Sequence, residues 1–396
     1  MNIKNKWLSL AILLVQFSCQ QNRSIQELGK VIAIKDSIRQ VYAPDRRVAR
    51  FDIDINYKDG RLKLSGESDQ PEAVAILMDY LSTSDLKIDD KVTLLPDSSA
   101  DQYPYAIVNN SVSNLRSEPR HSAELATQAT LGTLLKVLKI AKEWYLVQTP
   151  DDYISWVDHG GVTLKTSEQI MNWQNTEKVI VTEVNATVYH EEITAQTISD
   201  VVLGNVLERM DDLDQYVIVR FPDGRIGRIE KSGVKDYESW LSSLGSSGEL
   251  IEYYARQLMG TPYLWGGTSA KGMDCSGFTK TVYFMNGLVI PRDASQQINA
   301  GRVVDQSMSF DGLQKGDLLF FGKPATDSTK QKTTHVGLWL GNGEFIHASK
   351  RVRISSIDPA SSNYDEFNKN RYLGSRRYLK NIEGNITDLR TRITLK

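Results

Sequence analysis

One stretch of the chain repeats itself. Leu131-Gly132-Thr-Leu134-Leu135 aligns with Leu203-Gly204-Asn-Val206-Leu207 at an offset of 72 residues. The same offset, without a gap, pairs Trp144 with Tyr216, Thr149-Pro150-Asp151 with Phe221-Pro222-Asp223, and Val157 with Ile229. A register held over that span means that one supersecondary unit is built twice. Each copy carries short alternating apolar runs separated by turn dipeptides, which predicts two small β-barrels, over residues 105–165 and 175–235. With 396 residues the chain has room for further domains on both sides of the pair. Lys and Arg number 47 against 49 Asp and Glu, so bulk charge gives no reason to expect nucleic-acid binding.

Upstream of the repeat, Phe51, Ile53, Ile55 and Tyr57 alternate with polar residues as in a strand. Lys58-Asp59-Gly60-Arg61 reads as a turn, with Leu62 and Leu64 continuing as the hairpin partner. Pro71 opens an apolar-rich helix through Leu81 with Asp69 as its cap, and Leu86 to Leu95 returns as a strand. Residues 24–100 are therefore expected to form a small α+β unit, with no cluster that suggests chemistry. Before it, Lys4 and Lys6 precede an apolar run from Trp7 to Phe17 and then Ser18-Cys19. The run is too short to span a bilayer and reads as an export signal over residues 1–18. It resembles a bacterial lipoprotein signal, which implies lipidation of Cys19 and a membrane-anchored, periplasmic protein. Gln16 departs from that pattern, in which an aliphatic residue stands three before the cysteine. An ordinary cleaved signal is the alternative, and residues 20–23 read as a tether.

Downstream, Asp236 to Gly248 reads as a linker, and Glu249 to Gly260 as an amphipathic helix with Leu250, Tyr253, Tyr254 and Leu258 at helical spacing. Strands follow at Asp317–Phe321, His335–Leu340 and Glu344–Ala348, the order of an α+β domain over 249–380. The tail 381–396 reads as peripheral. Cys275 is one of only two cysteines, in Asp274-Cys275-Ser276-Gly277-Phe278, at the expected start of a helix. A helix N-terminus favours a thiolate, so Cys275 is a candidate nucleophile rather than a core cysteine. A nucleophile needs a base that a third group orients. Of five histidines, only His335 and His347 lie downstream in the same domain, flanking the turn Gly341-Asn342-Gly343. A tight hairpin would bring them close to opposite each other. His335 is then the base, His347 its orienting partner, and a Cys⁻/His⁺ pair the expected resting state. Ligand spacings for zinc are missing, so neither a metal nor any other cofactor is expected.

With Tyr263-Leu-Trp-Gly-Gly267, Pro291-Arg292-Asp293, Gly316-Asp317-Leu318, His335-Val336-Gly337 and Ile346-His347-Ala348 added, the C-terminal region resembles the NlpC/P60 cysteine peptidases of cell-wall peptides. That family's fold is a papain-like α+β domain. The repeat resembles bacterial SH3-like domains through Asn114-Leu115-Arg116, the Leu-Gly pair and Tyr153-Ile-Ser-Trp156-Val157, with Trp156 expected in the barrel core. Two SH3-like domains ahead of such a domain resemble γ-D-glutamyl-L-diamino acid endopeptidases. The resemblance implies a substrate class, peptidoglycan-derived peptides with a free N-terminal L-Ala, and release of L-Ala-γ-D-Glu. It implies Cys275, His335 and His347 as the catalytic residues and Tyr263 beside the oxyanion. It further implies Asp293, with Asp274 nearby, at the substrate ammonium, and Arg292 and Ser276 at the D-Glu portion. Glu118 and Tyr153 from the first SH3-like domain would cap the ammonium, with Glu124 the alternative carboxylate. Ala294 stands where a small polar residue is expected. The other readings are a hydrolase of intact, N-acylated stem peptides and a non-catalytic wall-binding lipoprotein.

Overall fold

The structure, a computed structural model, describes residues 27–58, 60–84, 87–193, 196–380 and 382–391. The leader, Cys19, the tether, Asp59 and Leu86 lie outside the described residues. The chain divides into two compact units, Met1–Asp101 and Gln102–Lys396.

In the first unit the alternation builds the expected hairpin, Phe51–Lys58 against Arg61–Ser68, in antiparallel register. Phe51, Ile53 and Ile55 turn inward with Leu62 and Leu64 and meet Ala73, Val74, Leu77 and Leu81 of the helix Pro71–Ser82. The third strand, Lys87–Leu94, runs parallel to Arg61–Ser68. A helix over 27–42 adds Val31 and Ile38 to this core. Asp69 does not cap the helix Pro71–Ser82. Gln70 holds the N-cap position, and the Asp69 carboxylate instead accepts from the Arg50 amide at 2.7 Å.

Within the second unit the two repeats fold alike. Each is a seven-stranded antiparallel sheet, and the strand order of one maps onto the other. Trp144–Gln148 and Ile154–Asp158 recur at Tyr216–Arg220 and Ile226–Glu230. Gly132 and Gly204 mark the same turn, with φ of +83° and +84°, a left-handed conformation that favours glycine. Trp156 is buried, as expected of a core position. A Cβ on Gly132 would lie 2.3 Å from the Val206 carbonyl oxygen, so the two barrels meet backbone to backbone.

The C-terminal domain is a six-stranded antiparallel sheet. Its order is Arg302–Val303, Tyr372–Arg377, Leu318–Lys323, Lys332–Gly341, Glu344–Ser349, Arg351–Ser356. The helix Cys275–Phe284 shares one apolar core with it, joining Phe278 and Val282 to Phe320, Val336, Leu338 and Ile346. The amphipathic helix spans Gly248–Gln257 and buries Ile251, Tyr254 and Ala255, while Tyr253 faces outward. Two expectations are corrected. The supposed linker contains a helix, Tyr237–Ser243, whose Trp240 is 1% exposed within the same core. The tail is not peripheral through Leu389: Thr387–Asp388 pairs with Leu288–Val289, and Ile386 and Leu389 are buried.

Candidate active site

Cys275 is the first residue of its helix, and Asp274 is the N-cap, accepting from the Gly277 amide at 2.7 Å. A Cβ on Gly277 would stand 2.0 Å from the Gly267 carbonyl oxygen, so the helix start and the Tyr263–Gly267 loop lock together only with glycine there. Tyr263 is half-buried on that loop. Its phenol is pushed up by burial and by the nearby Cys275 and Asp274 groups, and so stays protonated.

His335 and His347 lie on adjacent strands, in the register Leu338↔Ile346 and Trp339↔Phe345. That register sets Gly337, not His335, across from His347, with His335 on the diagonal. A Cβ at Gly337 would lie 3.2 Å from His347 Cβ and 3.0 Å from Phe345, so glycine leaves the space over which the imidazoles meet. His335 Nε2 is 2.7 Å from His347 Nδ1, and His347 Nε2 is 3.0 Å from Ser355 Oγ. This leaves Nδ1 of His335 as the nitrogen available to a thiol.

Burial acts against the expected ion pair. Burial, and then the Asp274 carboxylate, pushes the Cys275 thiol up to about 12, against hydrogen bonds from the Val336 and Ser276 amides. Burial, and then the Arg371 guanidinium, pushes His335 down to about 3, against the pull of Asp365. His347 is pushed well below its ordinary value by burial and by His335. The helix N-terminus favours a thiolate, while desolvation works against it and favours the neutral thiol and imidazole.

Asp274 anchors the floor of the site. Arg292 Nη2 donates to its Oδ2 at 2.7 Å and Nη1 to its Oδ1 at 3.1 Å, and the Gly266 amide donates to Oδ2 at 2.9 Å. Burial works against this carboxylate, but Arg292 and the amides outweigh it and hold the carboxyl below the usual range. Arg292 and Ser276 are 1% and 4% exposed. Arg292 also donates to Ser276 Oγ at 3.0 Å and to Thr127 Oγ1 at 2.8 Å. Both residues expected at the D-Glu portion thus lie together beside Asp274, next to the nucleophile. Their groups face inward and hold Asp274 and the barrel. Asp293, 3.8 Å from Arg292, keeps a quarter of its side chain exposed and is the more open carboxylate of the pair with Asp274.

The first barrel forms one wall. A Cβ on Gly266 would lie 2.2 Å from the Leu125 carbonyl oxygen, so the barrel strand Leu125–Thr130 abuts the Tyr263–Gly267 loop directly. The Gln128 side-chain oxygen accepts from the Thr268 amide at 2.9 Å, and Lys280 pairs with the buried Asp151 at 2.6 Å. Tyr153 is 7% exposed and acts electrostatically on Arg292, which puts it at this wall. Glu118 is exposed and forks onto Arg120 at 3.0 and 3.1 Å. Of Glu118 and Glu124, it is Glu124 that meets the catalytic domain, accepting from Trp265 Nε1 at 2.8 Å. Trp265 is 62% exposed at this rim. Sequence reasoning missed Ser355, Thr127 and Trp265 as parts of the site. Of these, only Trp265 stood inside a motif already singled out.

Two family models match the chain: "NlpC/P60 family" over residues 260–377 and "Bacterial dipeptidyl-peptidase Sh3 domain" over 115–161. A Bacillus cereus protein named gamma-D-glutamyl-L-lysine dipeptidyl-peptidase is 31% identical over 265 residues, 65% of this chain and 76% of that protein. A Lysinibacillus sphaericus protein named dipeptidyl-peptidase 6 is 28% identical over 275 residues, 64% of this chain and 92% of that protein. The crystal structure of an NlpC/P60 family protein from Bacillus cereus superposes with a TM-score of 0.59 at 27% identity, covering 69% of this chain and 99% of that one. With a cysteine at a helix N-terminus, two coupled histidines and two SH3-like barrels, the chain belongs to the NlpC/P60 family of cysteine peptidases.

Proposed function

We propose that the chain cleaves the γ-D-Glu–diamino acid bond of peptidoglycan-derived peptides that begin with a free L-Ala, releasing L-Ala-γ-D-Glu. The observation that carries this reading is the barrel wall. Strand Leu125–Thr130 stands against the Tyr263–Gly267 loop beside Cys275, which limits how much peptide can extend on the N-terminal side of the cut. A closed end of this kind would favour a short, unblocked peptide over a long, N-acylated stem. The ordering of groups supports the same reading. The open carboxylate Asp293 and the barrel's Tyr153 bracket Arg292, on the side where a substrate ammonium would sit. An ammonium there is favourable only when the substrate brings it, because a blocked terminus would leave Asp293 with no added partner.

In this mechanism the Cys275 sulfur attacks the γ-carbonyl carbon as its proton passes to His335 Nδ1. The neutral resting pair makes the transfer part of the attack rather than a step before it. The Cys275 amide at the helix start and the Tyr263 hydroxyl donate to the oxygen as it becomes negative. The imidazolium then gives its proton to the departing amine, and water, deprotonated by His335, releases the dipeptide. We further propose that residues 1–18 direct export and that Cys19 carries the lipid anchor, a reading that labelling with a radioactive fatty acid tests through a Cys19→Ala variant. The catalytic proposal is tested by incubating L-Ala-γ-D-Glu-L-Lys with the protein and weighing the products. L-Ala-γ-D-Glu and free lysine are expected, and neither from Cys275→Ala. Any other cut site contradicts the proposal.

A further inference from the structure

His335 Nε2 and His347 Nδ1 face each other at 2.7 Å, so one must carry the shared hydrogen and the other must be bare. His335 can take the thiol's proton only if its Nδ1 is bare, which puts its hydrogen on Nε2. His347 must then accept at Nδ1 and carry its own hydrogen on Nε2, the nitrogen 3.0 Å from Ser355 Oγ. The opposite arrangement makes equally many hydrogen bonds, because a hydroxyl can donate as well as accept. It would leave His335 protonated at Nδ1 and unable to act as base. Something outside the two rings has to choose.

Asp365 stands where it can. Its Oδ2 is 3.9 Å from His347 Nε2, too far for a hydrogen bond but close enough for its charge to favour an N–H at that nitrogen over a lone pair. Both partners are fixed in place. Ser355 is fully buried, and its strand pairs with the His347 strand in the register Phe345↔Ser355 and His347↔Arg353, which sets Ser355 on the diagonal from His347. Asp365 is tied to the short helix that follows it, accepting from the Asn368 amide at 3.0 Å and from Asn368 Nδ2 at 2.8 Å, and it lies 3.4 Å from Arg353 Nη2.

We propose that Ser355 and Asp365 are positioning residues that hold His347 in the Nε2–H form, Ser355 as acceptor and Asp365 as the charge that sets the direction. The hydrogens of the site then run one way: thiol to His335 Nδ1, His335 Nε2–H to His347 Nδ1, His347 Nε2–H to Ser355 Oγ. Asp365 is not a nucleophile or a base; it acts through His347. This inference rests on Cys275 and His335 being nucleophile and base, and its first readout needs no turnover.

That readout is the nitrogen NMR spectrum of ¹⁵N-histidine-labelled protein carrying Cys275→Ala, in which the two ring nitrogens of each tautomer give distinct shifts. The buried pair should show His347 as Nε2–H; His347 as Nδ1–H overturns the proposal whatever the activity. The second readout is kinetic. Ser355→Ala and Asp365→Asn should each lower kcat about tenfold or more, the worth of roughly one hydrogen bond, with KM little changed. The amide oxygen introduced by Asp365→Asn can still cap the short helix, so a loss there is not a loss of fold. Ser355→Thr, which keeps the hydroxyl, should recover most of kcat. The pH profile should also move, read against the groups that face the pair: Asp365, Arg353, Arg371 and Asp274. Unchanged kcat and spectrum in both variants, or a loss in Ser355→Ala that Thr does not restore while the wild-type tautomer persists, refutes the assignment.

Discussion

The neutral resting pair can be tested by alkylating Cys275 with iodoacetamide across pH 5 to 10. Only the thiolate reacts, so the rate follows its fraction. With the thiol pushed from its ordinary 9.0 to about 12, by burial first and the Asp274 carboxylate second, the thiolate fraction at neutral pH falls about a thousandfold. The logarithm of the rate should therefore climb with unit slope through the whole range, without a plateau. Slow access to a thiol that is 6% exposed would lower every point alike and leave the slope intact. The assay is mass spectrometry of the Cys275 peptide at timed quenches, with His335→Ala beside it. Because His335 rests neutral, that substitution should change the profile little. A flat region between pH 5 and 8, lost in His335→Ala, would mean a thiolate–imidazolium pair and would refute the reasoning.

The same burial should appear in stability. His335 and His347 both have folded values depressed below the ordinary 6.5, so the unfolded chain binds more protons below that pH and stability falls as pH falls. Urea unfolding of the second unit should weaken by up to about 2.7 kcal/mol per pH unit below 6.5, two protons' worth, and His335→Asn/His347→Asn should flatten the slope. Asp151→Ala strips the partner from Lys280 in a largely buried ion pair and should cost about 3 kcal/mol, read as a lowered urea midpoint. Gly337→Ala puts a methyl 3.2 Å from His347 Cβ and should lower kcat more than KM, with a stability loss of about 1–3 kcal/mol. Between Glu118 and Glu124, Glu124→Ala should raise KM more than Glu118→Ala, because it removes the acceptor that holds Trp265 while Glu118 is held by Arg120. Steady-state kinetics on the tripeptide separates the two.

What the sequence made legible was local. The repeat could be seen because strand alternation and a glycine turn recur at a fixed offset, and both barrels keep that register. The Cys275 helix and the His335–His347 hairpin were legible because each lies within one short motif. The rest depended on contacts between distant segments. The motif around Arg292 was visible, but not its burial between Asp274 and Thr127, a residue 165 positions away. Trp240 sits just before a Ser/Gly-rich run, in a short helix capped by Asp236 and packed through Trp240 against the catalytic core. A helix N-terminus is visible in sequence, while the depth of burial that opposes a thiolate there is not. Ser355 and Asp365 carry no motif and matter only through their distance to His347 Nε2.

The most direct test of the account compares two substrates that differ only at the N-terminus, L-Ala-γ-D-Glu-L-Lys and its N-acetyl form, on protein lacking residues 1–21. Acetylation removes the ammonium that Asp293 would receive and adds bulk toward the barrel wall. One lost charge-assisted contact alone is worth roughly 1.5–3 kcal/mol, so kcat/KM should fall by at least about tenfold to a hundredfold. In Asp293→Asn most of that discrimination should vanish, through loss of activity on the free peptide. Equal kcat/KM for the two peptides in the unaltered protein would contradict a site built for a free N-terminus.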